Sequence, residues 1–146
     1  MATLAQPLAA SKPAASVSAP LILAARILFA LIFLMAGPNH FASGTIAYAA
    51  SQGVPLASIA VPFSGILAIL GGLSIAFGYR ARLGAWLIAL FLVGVTPAMH
   101  KFWTVADPMM HQMQMIMFMK NLAMLGGALL ITQFGSGPLS LDSRKN

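Results

Sequence analysis

Lys120 is the residue whose placement most invites chemistry, because it is the one charged side chain inside the apolar run 111–134. In a helix it would lie about nine positions in, roughly 13 Å of rise from the start and near mid-membrane. A charge at that depth costs about 2.5–3.5 kcal/mol on insertion scales, which directs it toward the bundle interior or a wet cavity. There it could meet backbone carbonyls freed near Pro38 or Pro97, Asp107 on an inward-folded loop, or an anionic or carbonyl-bearing ligand. The structural alternative is a lysine that snorkels outward, with Asn121 acting as a helix-to-helix hydrogen-bonding group.

His40, His100 and His111 fall near the ends of three apolar stretches, together with Lys101, Trp103 and Asp107. Imidazole can donate to a quinone carbonyl, and two imidazoles from facing helices can ligate haem iron. The same residues, with Tyr48, also suit ordinary interfacial anchoring, which disfavours haem. Between Met109 and Met119 six methionines suggest thioether ligation of Cu(I). Helical geometry opposes that reading: Met113 and Met117 share a face, while Met115 and Met119 lie about 200° away. Methionine is then an adaptable wall or filler, copper is disfavoured, and no metal site is expected.

The elements that must position these groups are membrane helices. Of the 146 residues, 60% are apolar and 7% charged, with a mean hydropathy of +0.90, against about 25% charged in soluble domains. Stretches near 20–41, 57–78, 82–100 and 111–134 have spanning length. The expected architecture is an all-α integral membrane four-helix bundle, residues 20–134, between a disordered cytoplasmic tail at 1–19 and a short cytoplasmic tail at 135–146. The basic turn Gly78-Tyr79-Arg80-Ala81-Arg82, with Lys12, Arg144 and Lys145, places both termini inside. Arg26, near the inner end of the first helix, is expected to snorkel to headgroups.

Leu67-Ala68-Ile69-Leu70-Gly71-Gly72 reappears as Leu122-Ala123-Met124-Leu125-Gly126-Gly127. The stretches before these end in Pro38-Asn39-His40 and Pro97-Ala98-Met99-His100. Two parallel helix-pair repeats would put His40 and His100 at matched depth. The Gly-Gly pairs lack a phosphate-loop pattern and read as close helix contacts.

Composition excludes several chemistries. With no cysteine, thiolate and disulfide chemistry is absent from this chain. Two carboxylates, Asp107 and Asp142, both outside the apolar runs, leave no pair for glycosidase or aspartic-protease catalysis. The net charge of +6 comes from scattered basic residues that form no stripe, so nucleic acid is not an expected partner.

The chain resembles the DoxX family of four-helix bacterial inner-membrane proteins. The likeness rests on Gly53-Val54-Pro55, on Leu70-Gly71-Gly72 through Gly78, and on Arg82. Its most specific parts are His100-Lys101-Phe102-Trp103 and Phe118-Met119-Lys120-Asn121-Leu122-Ala123. One departure is Ala68, where many members carry a glutamate before the Gly-Gly pair. The carboxylate that could pair with Lys120 is thus missing.

Some relatives in that family are small subunits of thiosulfate:quinone oxidoreductase or of a terminal quinol oxidase, and others join redox-defence assemblies. By that resemblance the expected function is a quinone-linked or accessory subunit of a membrane redox complex, with membrane or periplasmic redox proteins as partners. Its lipophile cavity would open to the outer face, with Lys120, Asn121, His100, Trp103 and His40 as candidate ligand-binding residues. The competing expectations are a non-catalytic assembly subunit and, ranked last, a small-solute transporter.

Overall fold

Proline and glycine punctuation sets the helix boundaries. The structure, a computed structural model, describes residues 18–144. The tail expected at 1–19 lies outside the described residues except for Ser18 and Ala19, and Lys145 and Asn146 also lie outside. Helix α1 (Ala19–Ala36) opens with Pro20 in its first turn, where a missing N–H costs nothing, and tightens into a 3₁₀ turn, Gly37–Phe41. Then follow α2 (Ser43–Ser51), α3 (Ala57–Phe77), α4 (Ala81–Met99), a 3₁₀ turn at Phe102–Thr104, α5 (Pro108–Phe134) and a last 3₁₀ turn at Asp142–Arg144.

Among the described residues four helical segments are long and apolar enough to cross a membrane: Ala19–Phe41, Ala57–Phe77, Ala81–Thr104 and Pro108–Phe134. The protein is an all-α, multi-pass membrane bundle, as its composition requires. The fourth span starts three residues earlier than expected because Asp107 caps it, accepting from the Met110 N–H at 2.8 Å, with Pro108 following. The loop expected at 42–56 contains the short helix α2, whose Ala49 is buried in a small cluster with Ala57 and Val61.

The spans pack in chain order, α1 on α3, α3 on α4 and α4 on α5. Gly78 ends α3 in the left-handed region (φ +64°), and only Tyr79 and Arg80 separate it from α4, so those two helices are antiparallel neighbours. Small residues set the spacing. A Cβ on Gly71 would lie 2.8 Å from the Gly84 carbonyl oxygen, and one on Gly127 would lie 2.9 Å from the Phe29 ring, where α5 meets α1. Gly126 departs from the expected close contact: a Cβ there would meet nothing within 4 Å. The central core joins Ala30, Phe33, Ala68, Ile75, Ala85, Ile88, Leu92 and Ala128. Ala68, where the resemblance led one to look for a carboxylate, is fully buried there as part of the apolar core.

Both described chain ends lie at the same end of the bundle, called here the terminal end; the opposite, loop end carries α2 and residues 100–107. At the terminal end the expectation for Arg26 fails. Its side chain is 4% exposed, and its guanidinium donates to the carbonyls of Ser136 at 2.6 Å and Leu139 at 2.7 Å. Residues 135–144 fold back under the helices instead of trailing away. The Leu141 N–H donates to the Phe77 carbonyl at 3.2 Å and the Asp142 N–H to the Gly78 carbonyl at 2.9 Å. The Asp142 carboxylate accepts from the N–H groups of Arg80 and Ala81, capping α4 from 61 and 62 residues away in sequence. Nη1 and Nη2 find carbonyl acceptors inside the fold while Nε is buried without a partner, so the guanidinium is held in the interior instead of reaching for headgroups.

Candidate functional site

At the loop end a cavity of about 420 Å³ lies between α3 and α4, roofed by α2 and the 3₁₀ turn that ends α1. Its walls are almost wholly aliphatic and aromatic; the side-chain polar groups on it are His40, Thr45 and Ser64. Phe63 and Leu90 line it while remaining more than half exposed, so the cavity opens sideways toward lipid. Gly94 makes room on the α4 side, since a Cβ there would meet nothing within 4 Å. Gly65 makes room on the α3 side: a Cβ on it would lie 2.7 Å from the His40 Cβ, so its lack of a side chain lets the 3₁₀ turn seat against α3.

His40 is held in one orientation. Its Nδ1 lies 3.1 Å from the Ala36 carbonyl oxygen, and a carbonyl can only accept, so Nδ1 carries the hydrogen. In the neutral ring Nε2 is then the acceptor. The ring packs edge-on against Phe91 at 5.6 Å, and Phe91 in turn contacts Phe33, which contacts Phe29. A continuous run of rings thus leads from the cavity into the core. Ser64 turns its hydroxyl back to the Val61 carbonyl at 2.7 Å and leaves its oxygen as an acceptor.

The other candidate residues lie elsewhere. The His100 Nδ1 pairs with the Gln114 Oε1 at 2.8 Å, tying the end of α4 to α5. Trp103 is 56% exposed and belongs to an aromatic cluster in which Phe102 meets Trp103, His111 and Phe118. The Lys101 Nζ donates to the Gln52 carbonyl at 2.8 Å, closing the loop end over α2. His100 and Trp103 therefore form a clasp between helices. His40 and His100 do not sit at matched depth: His40 packs on Phe91, and His100 caps the C-terminus of α4 nine residues later, roughly 13 Å of rise.

Lys120 and Asn121 point apart. Asn121 is buried at 6% exposure on the inner face of α5, whereas Lys120 is exposed on the outside of the bundle, its Nζ 3.1 Å from the Met117 Sδ. The expectation that Lys120 faces the interior fails because consecutive helix positions differ by about 100°, and Asn121 takes the inward direction. Of the five candidates, only His40 lines the cavity. Sequence reasoning missed its partners Phe91, Gly94 and Ser64; Gly94, a glycine amid bulky apolar residues, was the available signal.

The DoxX family model matches residues 21–101, more than half of the chain. This protein belongs to the DoxX family. Over 126 residues it is 32% identical to the inner membrane protein YphA of Escherichia coli, covering 85% of this chain and 89% of that one. Over 127 residues it is 33% identical to the inner membrane protein YqjF of the same organism, covering 86% and 92%. A more distant likeness, 29% over 116 residues, is to the ER-derived vesicles protein ERV29 of Saccharomyces cerevisiae, where 73% of this chain meets 36% of the relative. No solved structure matches. With the four spans, these relatives make the DoxX protein described here an inner-membrane protein. The match to the family model ends at Lys101, so the cavity and His40 lie inside it, while Trp103, Lys120 and Asn121 lie beyond it.

Proposed function

We propose that this DoxX-family protein binds a flat lipophilic carbonyl compound of the quinone class in the α3–α4 cavity and serves as a subunit of a membrane redox assembly. The observation that carries this reading is His40: one oriented imidazole on the wall of a largely apolar cavity that opens to lipid. A volume of about 420 Å³ falls within the usual range for small-molecule sites. The lining suits a ring and the start of an apolar tail, with Phe91 as a packing face. When bound, a quinone supplies two-electron, two-proton acceptor chemistry. The chain's own part is narrower. With Nδ1–H committed to Ala36, His40 Nε2 accepts from a hydroxyl of the reduced, quinol form and so orients the ligand. Phe63, Leu90 and Phe91 exclude water from that contact.

The test is the quinone content of protein extracted mildly from native membranes, read by solvent extraction and chromatography. His40→Phe and Gly94→Leu should each lower bound quinone by about tenfold or more, by loss of the hydrogen bond and by filling the cavity. Unchanged content in both variants rejects the site.

A second reading, the non-catalytic subunit, is favoured by Lys120. It stands exposed in the middle of α5 beside exposed Met113, Ile116 and Met119. Asp107 caps α5 and Asp142 caps α4, so both carboxylates of the chain already have roles at helix ends. In this reading a partner helix supplies the carboxylate, relieving the roughly 2.5–3.5 kcal/mol cost of a mid-membrane charge. Lys120→Leu should then abolish co-purification of a stoichiometric membrane partner while leaving quinone content unchanged; a chain that purifies alone in both forms rejects this reading.

A further inference from the structure

The terminal end holds a second and larger cavity, of about 570 Å³, unconnected with the quinone reading. It lies between the start of α4 and the segment following α5, and its lining includes Arg80, Arg82, Ser136 and Ser143. Leu83 and Phe134, both exposed, give it an apolar rim at the level where the spans end. Its character is thus opposite to that of the loop-end cavity: basic and hydroxyl-lined within, apolar only where it borders the bilayer.

Asp142 also lines it, and an acidic group would oppose an anion. That carboxylate, however, accepts from the backbone N–H groups of Arg80 and Ala81 and from the Ser136 hydroxyl, and its charge is attracted by buried Arg26. Arg80 and Arg82 remain as exposed cations at the cavity. Arg82 uses one nitrogen on the Gln133 carbonyl at 3.1 Å, and the Arg80 guanidinium lies 5.7 Å from the centre of the Tyr79 ring. Both keep further N–H donors, whose planar fork matches phosphate oxygens. Arg80 is held at φ +48°, in the left-handed region that non-glycine residues seldom adopt, and the Asp142 cap on its own N–H supports that conformation.

We propose that this cavity binds a phosphate group, and that its source is the headgroup of an anionic phospholipid in the adjoining leaflet. The apolar rim of Leu83 and Phe134 is what distinguishes a lipid from a soluble phosphate: acyl chains can lie against it while the headgroup enters between the two arginines. Basic pockets at the ends of membrane helices take lipid headgroups by this combination of charge and apolar border.

The test uses full-length protein in mild detergent, with native mass spectrometry reading the retention of added phosphatidylglycerol against phosphatidylcholine. Phosphatidylglycerol should be retained about tenfold more, and Arg80→Gln with Arg82→Gln should bring it down to the phosphatidylcholine level. Because Arg82 also ties α4 to α5, Arg80→Gln alone provides a variant that spares that contact, and it should lower retention about fivefold. Equal retention of the two lipids, or retention unaffected by both sets of variants, overturns the proposal. The remaining arm titrates inorganic phosphate and glycerol phosphate and follows thermal unfolding. Stabilisation that depends on Arg80, with phosphatidylglycerol displaced, would uphold the phosphate site and overturn the lipid source; no stabilisation supports the lipid.

Discussion

The two ends of the bundle solve opposite problems. At the terminal end a buried guanidinium, three serines and an aspartate are knitted to one another and to backbone groups of the segment after α5 and of the turn into α4, through Arg26, Ser136, Ser140, Ser143 and Asp142. At the loop end the cavity wall is apolar and His40 makes a single local hydrogen bond to Ala36. These buried polar groups are paired, with Arg26 Nε as the exception, and each pairing fixes geometry, so the terminal end is the more rigid one. An apolar wall has no such requirement. Space can remain open there, and a ligand can enter by displacing lipid instead of breaking a network. The contrast teaches that this small bundle gains its definition at one end and leaves the other adaptable.

Breaking the rigid end should have the largest effect. Arg26→Met would leave the carbonyls of Ser136 and Leu139 without their donor, at about 1–3 kcal/mol each. Its melting temperature in detergent should fall steeply, and the segment from Gly135 onward should become sensitive to limited proteolysis. A variant that melts with the wild type would show that the Arg26 hydrogen bonds contribute nothing.

Asp142→Ala removes the cap shared by Arg80 and Ala81 and should cost about 1–2 kcal/mol, measured by the same unfolding experiment. Asp142→Asn, which keeps an acceptor oxygen, should restore part of the loss. The smallest effect belongs to the loop end. Gly94→Ala adds a methyl group into open space and improves helix propensity, so stability should hold or rise by up to about 1 kcal/mol. A loss of stability there as large as that of Asp142→Ala would erase the distinction between the ends.

Much of the fold is legible in residue order alone. Apolar runs of spanning length, broken at Pro20, at Pro38 and at the Gly78 turn, lead to the four spans within a few residues, because lipid leaves a backbone few ways to satisfy its hydrogen bonds. The helix α2 within an apparent loop was not legible, since its Ala49 is buried in a cluster with Ala57 and Val61 of another helix. The candidate cavity was legible in part. Histidine near the end of a span is a visible signal, and His40 does line the cavity. His100 carries the same signal, and Trp103 that of an interfacial aromatic, yet both form a clasp with α5 through Gln114 and Phe118.

Residue types and their order determined by themselves that this is a helical membrane protein, where its spans lie, and which few polar groups must be accounted for inside lipid. Hydropathy and helix length are sums over local residues, so they survive without knowledge of neighbours. Tertiary structure alone decided direction. Lys120 faces out and Asn121 in because α5 turns its inner face to α4; Arg26 is buried because carbonyls 110 and 113 residues away fold over it. Backbone acceptors carry no mark in a side-chain sequence, and a cavity is the space left where packed helices part. Both exist only once the chain has closed on itself.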